Sequence, residues 1–297
     1  MRGIKLKKKS IYYFIAIFVI IIWSTTFIST KTLLKVLSPV EIMFYRYIVA
    51  YISLIIVYPK LHKSSGIKEE LLFILAGIFG GTLYFLSENY ALDYSLASNV
   101  SLIVAAAPLL TALLAYLLLK EEKVNKRWYL GAFIAFSGVF LVIFNGKFIL
   151  KINPIGDFLA LLAAFSWAIY SIIIKFIGEK YNGIYITRKV FFYSILTMLP
   201  VVFLGDFNWK SIVVTDFGVI INLLFLGLVA SSLCFVLWSK VIWNIGAVKA
   251  NNFVYLIPLV TMICSSIFLD ENIKIIAVIG GIFIVAGVYI SEKKVKK

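Results

Sequence analysis

The sequence predicts an all-α integral membrane protein with ten transmembrane helices, arranged as two inverted five-helix repeats. Hydrophobic residues make up 62% of the 297 residues, and the mean hydropathy is +1.02, whereas a soluble domain has about 45–50% apolar residues. Apolar runs recur along the chain at lengths near the roughly 20 residues that a spanning helix needs. A pattern of small residues, prolines and acidic residues also recurs after 150 positions, which indicates an internal duplication.

Ten apolar runs correspond to the ten predicted helices. Short connections with turn signals, such as Ser38-Pro39 and Asn182-Gly183, separate them. The predicted helices are Ile11–Leu34, Val40–Tyr58, Glu69–Leu92, Ser95–Leu119 and Arg127–Asn145, followed by Ile155–Gly178, Ile184–Leu204, Asp216–Lys240, Val248–Leu269 and Lys274–Ser291.

The charge distribution predicts how the chain lies in the membrane. It has 29 lysine and arginine residues against 14 acidic ones, an excess that can indicate a nucleic-acid partner. Here the basic residues lie in short loops between apolar runs, so the expected partner is the lipid bilayer and no nucleic acid. Of these residues, 20 fall on one predicted side and 6 on the other. Cytoplasmic loops carry such an excess, so we expect a multi-pass protein of the cell membrane with both termini in the cytoplasm.

The repeat divides the chain into parts. The pairs that recur after 150 positions include Ala97 and Ala247, Pro108 and Pro258, and Glu121 and Glu271. Because each unit holds five helices, an odd number, the second unit is predicted to enter the membrane upside down, as in secondary transporters. The predicted parts are a cytoplasmic basic N-terminus (1–10), the first five-helix repeat (11–145), the second (155–291) and a cytoplasmic basic tail (292–297).

A stripe of small residues leads to two polar groups on the third predicted helix. At 3.6 residues per turn, one face carries Gly77, Gly80, Gly81, Tyr84 and Glu88. After 150 positions the corresponding residues are Gly227, Ala230, Ser231, Cys234 and Trp238. This pattern predicts a small-residue groove beside a transport path, with the phenol and the carboxylate present in the first repeat alone.

Three charged residues lie within apolar runs or at the mouth of one. A carboxylate such as Glu88 costs about 2.5–3.5 kcal/mol near the middle of a spanning helix, so it is predicted to contact substrate or a proton, or else to lie at the interface near Asp93. Arg46 is predicted to neutralise an anionic substrate group, to pair with Glu88 or to snorkel to lipid headgroups. Arg188 is predicted to extend its guanidinium to the lipid headgroups.

Aromatic residues and prolines complete the candidate site. Trp23 and Trp167 occupy the middle of the first and sixth helices, which predicts rings that face a cavity with a polar N–H; packing between helices is the alternative. Pro108 and Pro258 interrupt two helices and are predicted to kink them at gates. The candidate substrate-binding residues are therefore Trp23, Arg46, Tyr84, Glu88 and Trp167.

The sequence offers little for cofactor or metal chemistry. Cys234 and Cys264 lie inside apolar runs, and the single histidine, His62, lies in a basic loop. No nucleotide-binding loop, metal-ligand spacing or serine elbow is present in the sequence. We therefore expect no cofactor, no metal and no enzyme activity, although a membrane-embedded transferase remains the alternative from another class.

Several segments resemble one known family. The segments Trp23-Ser24-Thr25-Thr26-Phe27, Phe44-Tyr45-Arg46-Tyr47, Ala97 to Pro108-Leu109 and Gly246 to Pro258-Leu259 are similar to those of the EamA family in the drug/metabolite transporter superfamily. The resemblance covers nearly the whole chain and both repeats.

The resemblance implies a function. It implies a ten-helix secondary transporter with a central cavity, which moves small metabolites such as amino acids, often outward. The small-molecule substrate would cross by alternating access, with protons as the coupling ion if Glu88 titrates. A cation-selective carrier for choline-like quaternary amines is the rival, because an aromatic cage with a carboxylate suits such ligands. A homodimer is left open.

Overall fold

The computed structural model describes residues 2–60, 62, 66–95, 97–119, 126–144, 153–204, 207, 216–268 and 274–292. All regular secondary structure within these residues is helical, which confirms the all-α prediction. The predicted tail beyond residue 292 and the acidic positions Glu121 and Glu271 lie outside the described residues.

The described residues form ten helical elements. They are α1 (Arg2–Leu33), α2 (Pro39–Val57), α3 (Ile67–Tyr94), α4 (Ala97–Val104 and Ala107–Leu118), α5 (Lys126–Phe144), α6 (Pro154–Ile177, then the 3-10 turn Gly178–Lys180), α7 (Gly183–Leu204), α8 (Phe217–Ile245), α9 (Ala247–Asn252, the 3-10 turn Phe253–Leu256 and Ile257–Phe268) and α10 (Ile275–Glu292).

Within the described residues, 8 helices are long and apolar enough to cross a membrane; they are α1 to α4 and α6 to α9. The apolar part of α10, Ile275–Ser291, is shorter. Ten spans and the inverted arrangement of the two repeats therefore stay predictions. The segment over residues 2–10 is helical and continuous with α1, so the helix begins before the predicted Ile11.

Two helices contain a π-helical segment that the sequence analysis did not predict. These segments are Ile78–Thr82 in α3 and Phe225–Leu233 in α8. Adding 150 to residues 78–82 of α3 gives residues 228–232, which lie within the π-helical segment of α8. The irregularity therefore recurs at corresponding positions of the two repeats. A π-helical turn inserts an extra residue into the helix, so a stripe drawn at 3.6 residues per turn does not keep one face through it.

The glycines before Tyr84 are covered by other helices. A methyl group on Gly80 would lie 2.1 Å from the ring of Tyr170 in α6, and one on Gly81 would lie 1.9 Å from Oγ of Ser194 in α7. Side chains of α6 and α7 therefore fill the space beside Gly80 and Gly81. The glycines allow these helices to approach α3 closely, and the role of the stripe beside a transport path stays a prediction.

Both prolines follow a break in their helix. Two turn residues, Ala105 and Ala106, precede the second part of α4, in which Pro108 is the second residue. Pro258 is likewise the second residue of the last part of α9, after a 3-10 turn. Proline fits the first turn of a helix because its missing N–H would have no partner there. A gating role for these breaks stays a prediction.

Helices α5 and α10 pack against each other through glycines. A methyl group on Gly131 would lie 2.5 Å from the carbonyl oxygen of Gly287, and one on Gly138 would lie 2.5 Å from that of Gly280. The order of these contacts makes the two helices antiparallel. Most of the buried residues of this pair form a separate cluster, whereas Trp128 and Ala132 of α5 belong to the larger cluster that contains Trp23 and the candidate site.

Candidate functional site

A cavity of about 40 Å³ lies between helices of both repeats. Its walls come from α1, α2, α3, α4, α6, α8 and α9, and are mainly aromatic and aliphatic. The lining residues are Trp23, Thr26, Phe27, Arg46, Tyr84, Phe85, Glu88, Val104, Ala107, Trp167, Phe235, Val254 and Ile257.

All five predicted substrate-binding residues line this cavity. Trp23, Arg46, Tyr84, Glu88 and Trp167 come from four helices and are separated by up to 144 positions in the sequence, so the fold brings them together. Their convergence follows from the structure, and their role in binding a substrate stays a prediction.

Glu88 lies in the cavity wall and not at the exposed end of α3. Its exposed fraction is 9%, while Asp93, one turn further on, is exposed. The hydroxyl of Tyr84 donates to Oε1 of Glu88 at 2.8 Å. Within the described residues, Oε2 accepts no hydrogen bond from the protein, so this oxygen is the acceptor that a ligand or water can use.

Arg46 is buried and lines the same cavity. Its Nε donates to Oγ of Ser231 at 2.6 Å, and the guanidinium lies 4.2 Å from the ring centre of Phe85, which adds a cation–π attraction. Its exposed fraction is 4%, so the snorkelling alternative is wrong. Although both line the cavity, Arg46 and Glu88, which the structure describes fully, form no ion pair with each other.

The two tryptophans meet at the centre of the site. The rings of Trp23 and Trp167 are edge to face, with centroids 5.1 Å apart. Nε1 of Trp23 donates to the carbonyl of Ala230 at 2.9 Å, and Nε1 of Trp167 donates to Oδ1 of Asn251 at 2.8 Å. The rings therefore line the cavity as expected, but their N–H groups bind the protein instead of facing the cavity, which corrects the prediction.

The sequence analysis missed several residues of this site. Phe85 and Phe235 both line the cavity, and their separation of 150 positions was a signal that could have identified them as a repeated pair. Asn251, which also donates to Ser171, accepts from the N–H of Trp167. Ser231 was identified only as a small residue of the repeated stripe, and its contact with Arg46 was not predicted, because it joins distant helices.

At one end of the bundle, charged residues join α3 to α6 and α7. Lys180 pairs with Glu69 at 2.7 Å, and Lys189 pairs with Glu70, which also accepts from the hydroxyl of Tyr193. We call these residues the α3–α7 latch. By the predicted orientation this end faces the cytoplasm.

Arg188 lies beside the latch and is also buried. Its guanidinium donates to the carbonyl oxygens of Tyr58 at 2.5 Å and Lys60 at 2.7 Å. These carbonyls follow the end of α2 and have no partner within that helix. The predicted snorkelling of Arg188 is therefore wrong, because the side chain caps α2 instead.

The whole chain matches a known family in two copies. The model of the EamA-like transporter family matches residues 10–144 and again residues 154–292. The chain belongs to the EamA-like transporter family. These two matches cover the segments whose motifs resemble that family, so the resemblance is confirmed. The protein is therefore a multi-pass membrane transporter.

Relatives of this EamA-like transporter cover its full length. An uncharacterized transporter of Archaeoglobus fulgidus is 30% identical over 92% of this chain and 94% of its own length. A probable amino-acid metabolite efflux pump of Salmonella typhimurium is 23% identical over 94% of this chain and 93% of its own. A protein of known crystal structure has the same fold, with a TM-score of 0.74 and 17% identity over 96% of this chain and 98% of that one.

Proposed function

We propose that this EamA-like transporter is a secondary exporter of small metabolites, such as amino acids or related amphipathic solutes, in the cell membrane. The substrate crosses by alternating access between two inverted five-helix repeats, and both termini lie in the cytoplasm. The relative named as a probable amino-acid metabolite efflux pump supports this direction and substrate class.

The proposed substrate class rests on the arrangement of charges in the cavity. A guanidinium and a carboxylate line the same space without pairing with each other: Arg46 binds Ser231, and Glu88 binds Tyr84. A zwitterion offers a carboxylate to Arg46 and an ammonium group to Glu88. In a site of low dielectric constant each contact is stronger than in water, and the aromatic walls suit an apolar side chain.

The size of the cavity supports a conformational step. A volume of about 40 Å³ holds about two or three water molecules, at roughly 10–15 Å³ for each. An amino acid needs more room, so the helices around the cavity separate when the substrate enters. The α3–α7 latch and the packed rings of Trp23 and Trp167 are the contacts that such a movement would open.

Helix directions support the inverted repeat. α5 and α10 occupy corresponding places in the two family matches and run antiparallel along their glycine contacts. In α2 and α7, Tyr47 packs against Phe191 and Tyr58 accepts from Arg188, which is again an antiparallel order. Corresponding helices run in opposite directions when one repeat is inverted relative to the other.

The rival function is a carrier for choline-like quaternary amines. The rings of Trp23, Trp167 and Tyr84 beside Glu88 favour it, whereas Arg46 in the same wall repels a cation. A membrane-embedded transferase receives no support, since the relatives are named as transporters.

Counterflow into proteoliposomes tests the proposal. Vesicles loaded with a mixture of amino acids are expected to accumulate labelled amino acid, with competition by zwitterions and little by choline. The variant Arg46→Gln is expected to lose amino-acid counterflow and to gain counterflow of labelled choline in vesicles loaded with choline, because the repulsion is removed. Counterflow of choline but of no amino acid in the wild type would contradict the proposed substrate class.

A further inference from the structure

We infer that the π-helical segment of α8 positions the substrate site, and that Ser231 within it is a positioning residue. Its hydroxyl holds the guanidinium of Arg46 in the orientation that receives the carboxylate of a zwitterionic solute. This inference rests on the proposed function and deepens it, because it assigns the recognition of the carboxylate to a contact between the two repeats.

Consecutive residues of the π-helical segment hold two walls of the cavity. The carbonyl of Ala230 accepts from Nε1 of Trp23 at 2.9 Å, and Oγ of Ser231 accepts from Nε of Arg46 at 2.6 Å. Ser231 has no exposed surface. Both contacts therefore orient the side chains that face the cavity without touching the cavity themselves.

Two contacts fix the guanidinium and leave one of its edges free. Phe85 supports the plane from one side at 4.2 Å, and Ser231 binds Nε. The guanidinium has five N–H donors in a rigid fork, and those on Nη1 and Nη2 donate to no protein acceptor among the described residues. This edge matches the two oxygens of a carboxylate.

The next residue keeps α2 and α8 in register. Oγ of Ser232 lies 2.7 Å from Oγ of Ser53, and it also donates to the carbonyls of Ala50 at 3.2 Å and Gly227 at 3.0 Å. These bonds join α2 to the π-helical segment two turns beyond Arg46. The position of Ser231 relative to Arg46 is therefore held by a neighbouring contact of the same two helices.

The first repeat cannot supply an equivalent hydroxyl. The residue 150 positions before Ser231 is Gly81, where a Cβ would lie 1.9 Å from Oγ of Ser194. Conversely, the position that corresponds to Glu88 holds Trp238, which is fully buried. The two repeats therefore have different roles at the site. Helix α3 of the first repeat carries the carboxylate of Glu88, and α8 of the second repeat positions the guanidinium of Arg46.

The test compares an amino acid with the amine that lacks its carboxylate. Binding of L-phenylalanine and of phenethylamine is measured for the wild type, Ser231→Ala and Ser231→Thr. Ser231→Ala is expected to bind L-phenylalanine about tenfold more weakly, since a hydrogen bond to a charged group is lost, and phenethylamine within about twofold of the wild type. Ser231→Thr keeps the hydroxyl and is expected to retain most of the affinity for L-phenylalanine.

Two controls separate positioning from a structural effect. Ser239→Ala removes another fully buried hydroxyl of α8, which bonds Phe235 and Tyr170 and has no contact with Arg46, and is expected to change neither affinity. In an Arg46→Lys background, Ser231→Ala is expected to cause no further loss of affinity for L-phenylalanine, because a lysine side chain has no Nε–H group that Ser231 could bind.

Four outcomes would contradict the inference. Equal weakening of both probes by Ser231→Ala, or a further loss in the Arg46→Lys background, would mean that Ser231 does not act through Arg46. If the wild type binds phenethylamine but not L-phenylalanine, and no other amino acid competes, then the proposed function itself fails and the inference fails with it. Intact affinity for L-phenylalanine in Ser231→Ala would overturn the inference alone.

Discussion

The hydroxyl of Tyr84 donates to Oε1 of Glu88 at 2.8 Å, one turn along the same helix. The pair directs one carboxylate oxygen towards the protein and leaves the other for the cavity. It also gives the carboxylate an uncharged partner, so Glu88 can gain or lose a proton without breaking an ion pair. This relationship makes Glu88 the candidate for coupling solute movement to protons.

We predict that Glu88→Gln abolishes the response of transport to a proton gradient. In an exporter that exchanges solute for protons, acidifying the compartment that receives the solute speeds export, because protons move in the opposite direction. The glutamine amide of the variant cannot bind and release a proton, so this response is lost. Transport from proteoliposomes at varied pH measures this. Asp93→Asn, which changes an exposed carboxylate on the same helix, is the control and is expected to keep the response. Unchanged pH dependence in Glu88→Gln would remove Glu88 from coupling.

We predict that Asn251→Leu lowers both stability and transport. The substitution leaves the buried N–H of Trp167 without its acceptor at 2.8 Å, and such a loss costs about 1–3 kcal/mol. Thermal unfolding in detergent and the tryptophan fluorescence spectrum are the measurements. Asn244→Leu, at a half-buried site on α8, serves as the matched control. Equal changes in unfolding temperature and fluorescence for the two substitutions would show that the hydrogen bond to Trp167 does not account for the effect of Asn251→Leu.

We predict that Gly287→Ala destabilises the protein by about 1–3 kcal/mol, the usual cost of overpacking. The added methyl group would lie 2.4 Å from the backbone nitrogen of Ala135 and 2.5 Å from the carbonyl of Gly131, and backbone atoms cannot rotate away. The melting temperature in detergent reports the change. Gly183→Ala, whose methyl group meets its neighbours at 3.6 Å, is expected to melt as the wild type does.

We predict that charge reversal opens the α3–α7 latch. Lys189→Glu places a carboxylate beside Glu70 and is expected to increase labelling of a cysteine introduced at Thr26, which lines the cavity. The double variant Glu70→Lys/Lys189→Glu restores opposite charges and is expected to reduce labelling again. Lys180→Glu is expected to act more weakly, because the exposed fraction of that side chain is 49% against 18% for Lys189 and water screens it. Failure of the double variant to restore protection would argue against a role for the pair.

We predict that cysteines placed near both ends of the chain are labelled from the same face of the membrane. An even number of spans requires this, and the excess of lysine and arginine places that face in the cytoplasm. A membrane-impermeant maleimide applied to intact cells and to inverted vesicles measures it. Labelling of the two ends from opposite faces would contradict the inverted repeat, and with it the proposed alternating access.

The helical class and the helix positions could be predicted from the sequence, because apolar length and loop charge are local properties. The prolines also predicted the interruptions near Pro108 and Pro258, but the π-helical segments of α3 and α8 were not predicted. Hydropathy does not record these segments, since the residues remain apolar on either side of them.

The sequence by itself determined which side chains are costly in a membrane, so that Trp23, Arg46, Tyr84, Glu88 and Trp167 could be identified as candidates. Only the tertiary structure decided how they are held. It placed Arg46 against Ser231 and not against Glu88, buried Arg188 as a cap, and filled the glycine stripe with Tyr170 and Ser194. The physical reason is that burial cost is a property of each residue, whereas the partner that offsets this cost comes from a helix distant in sequence, and its position depends on how the whole bundle packs.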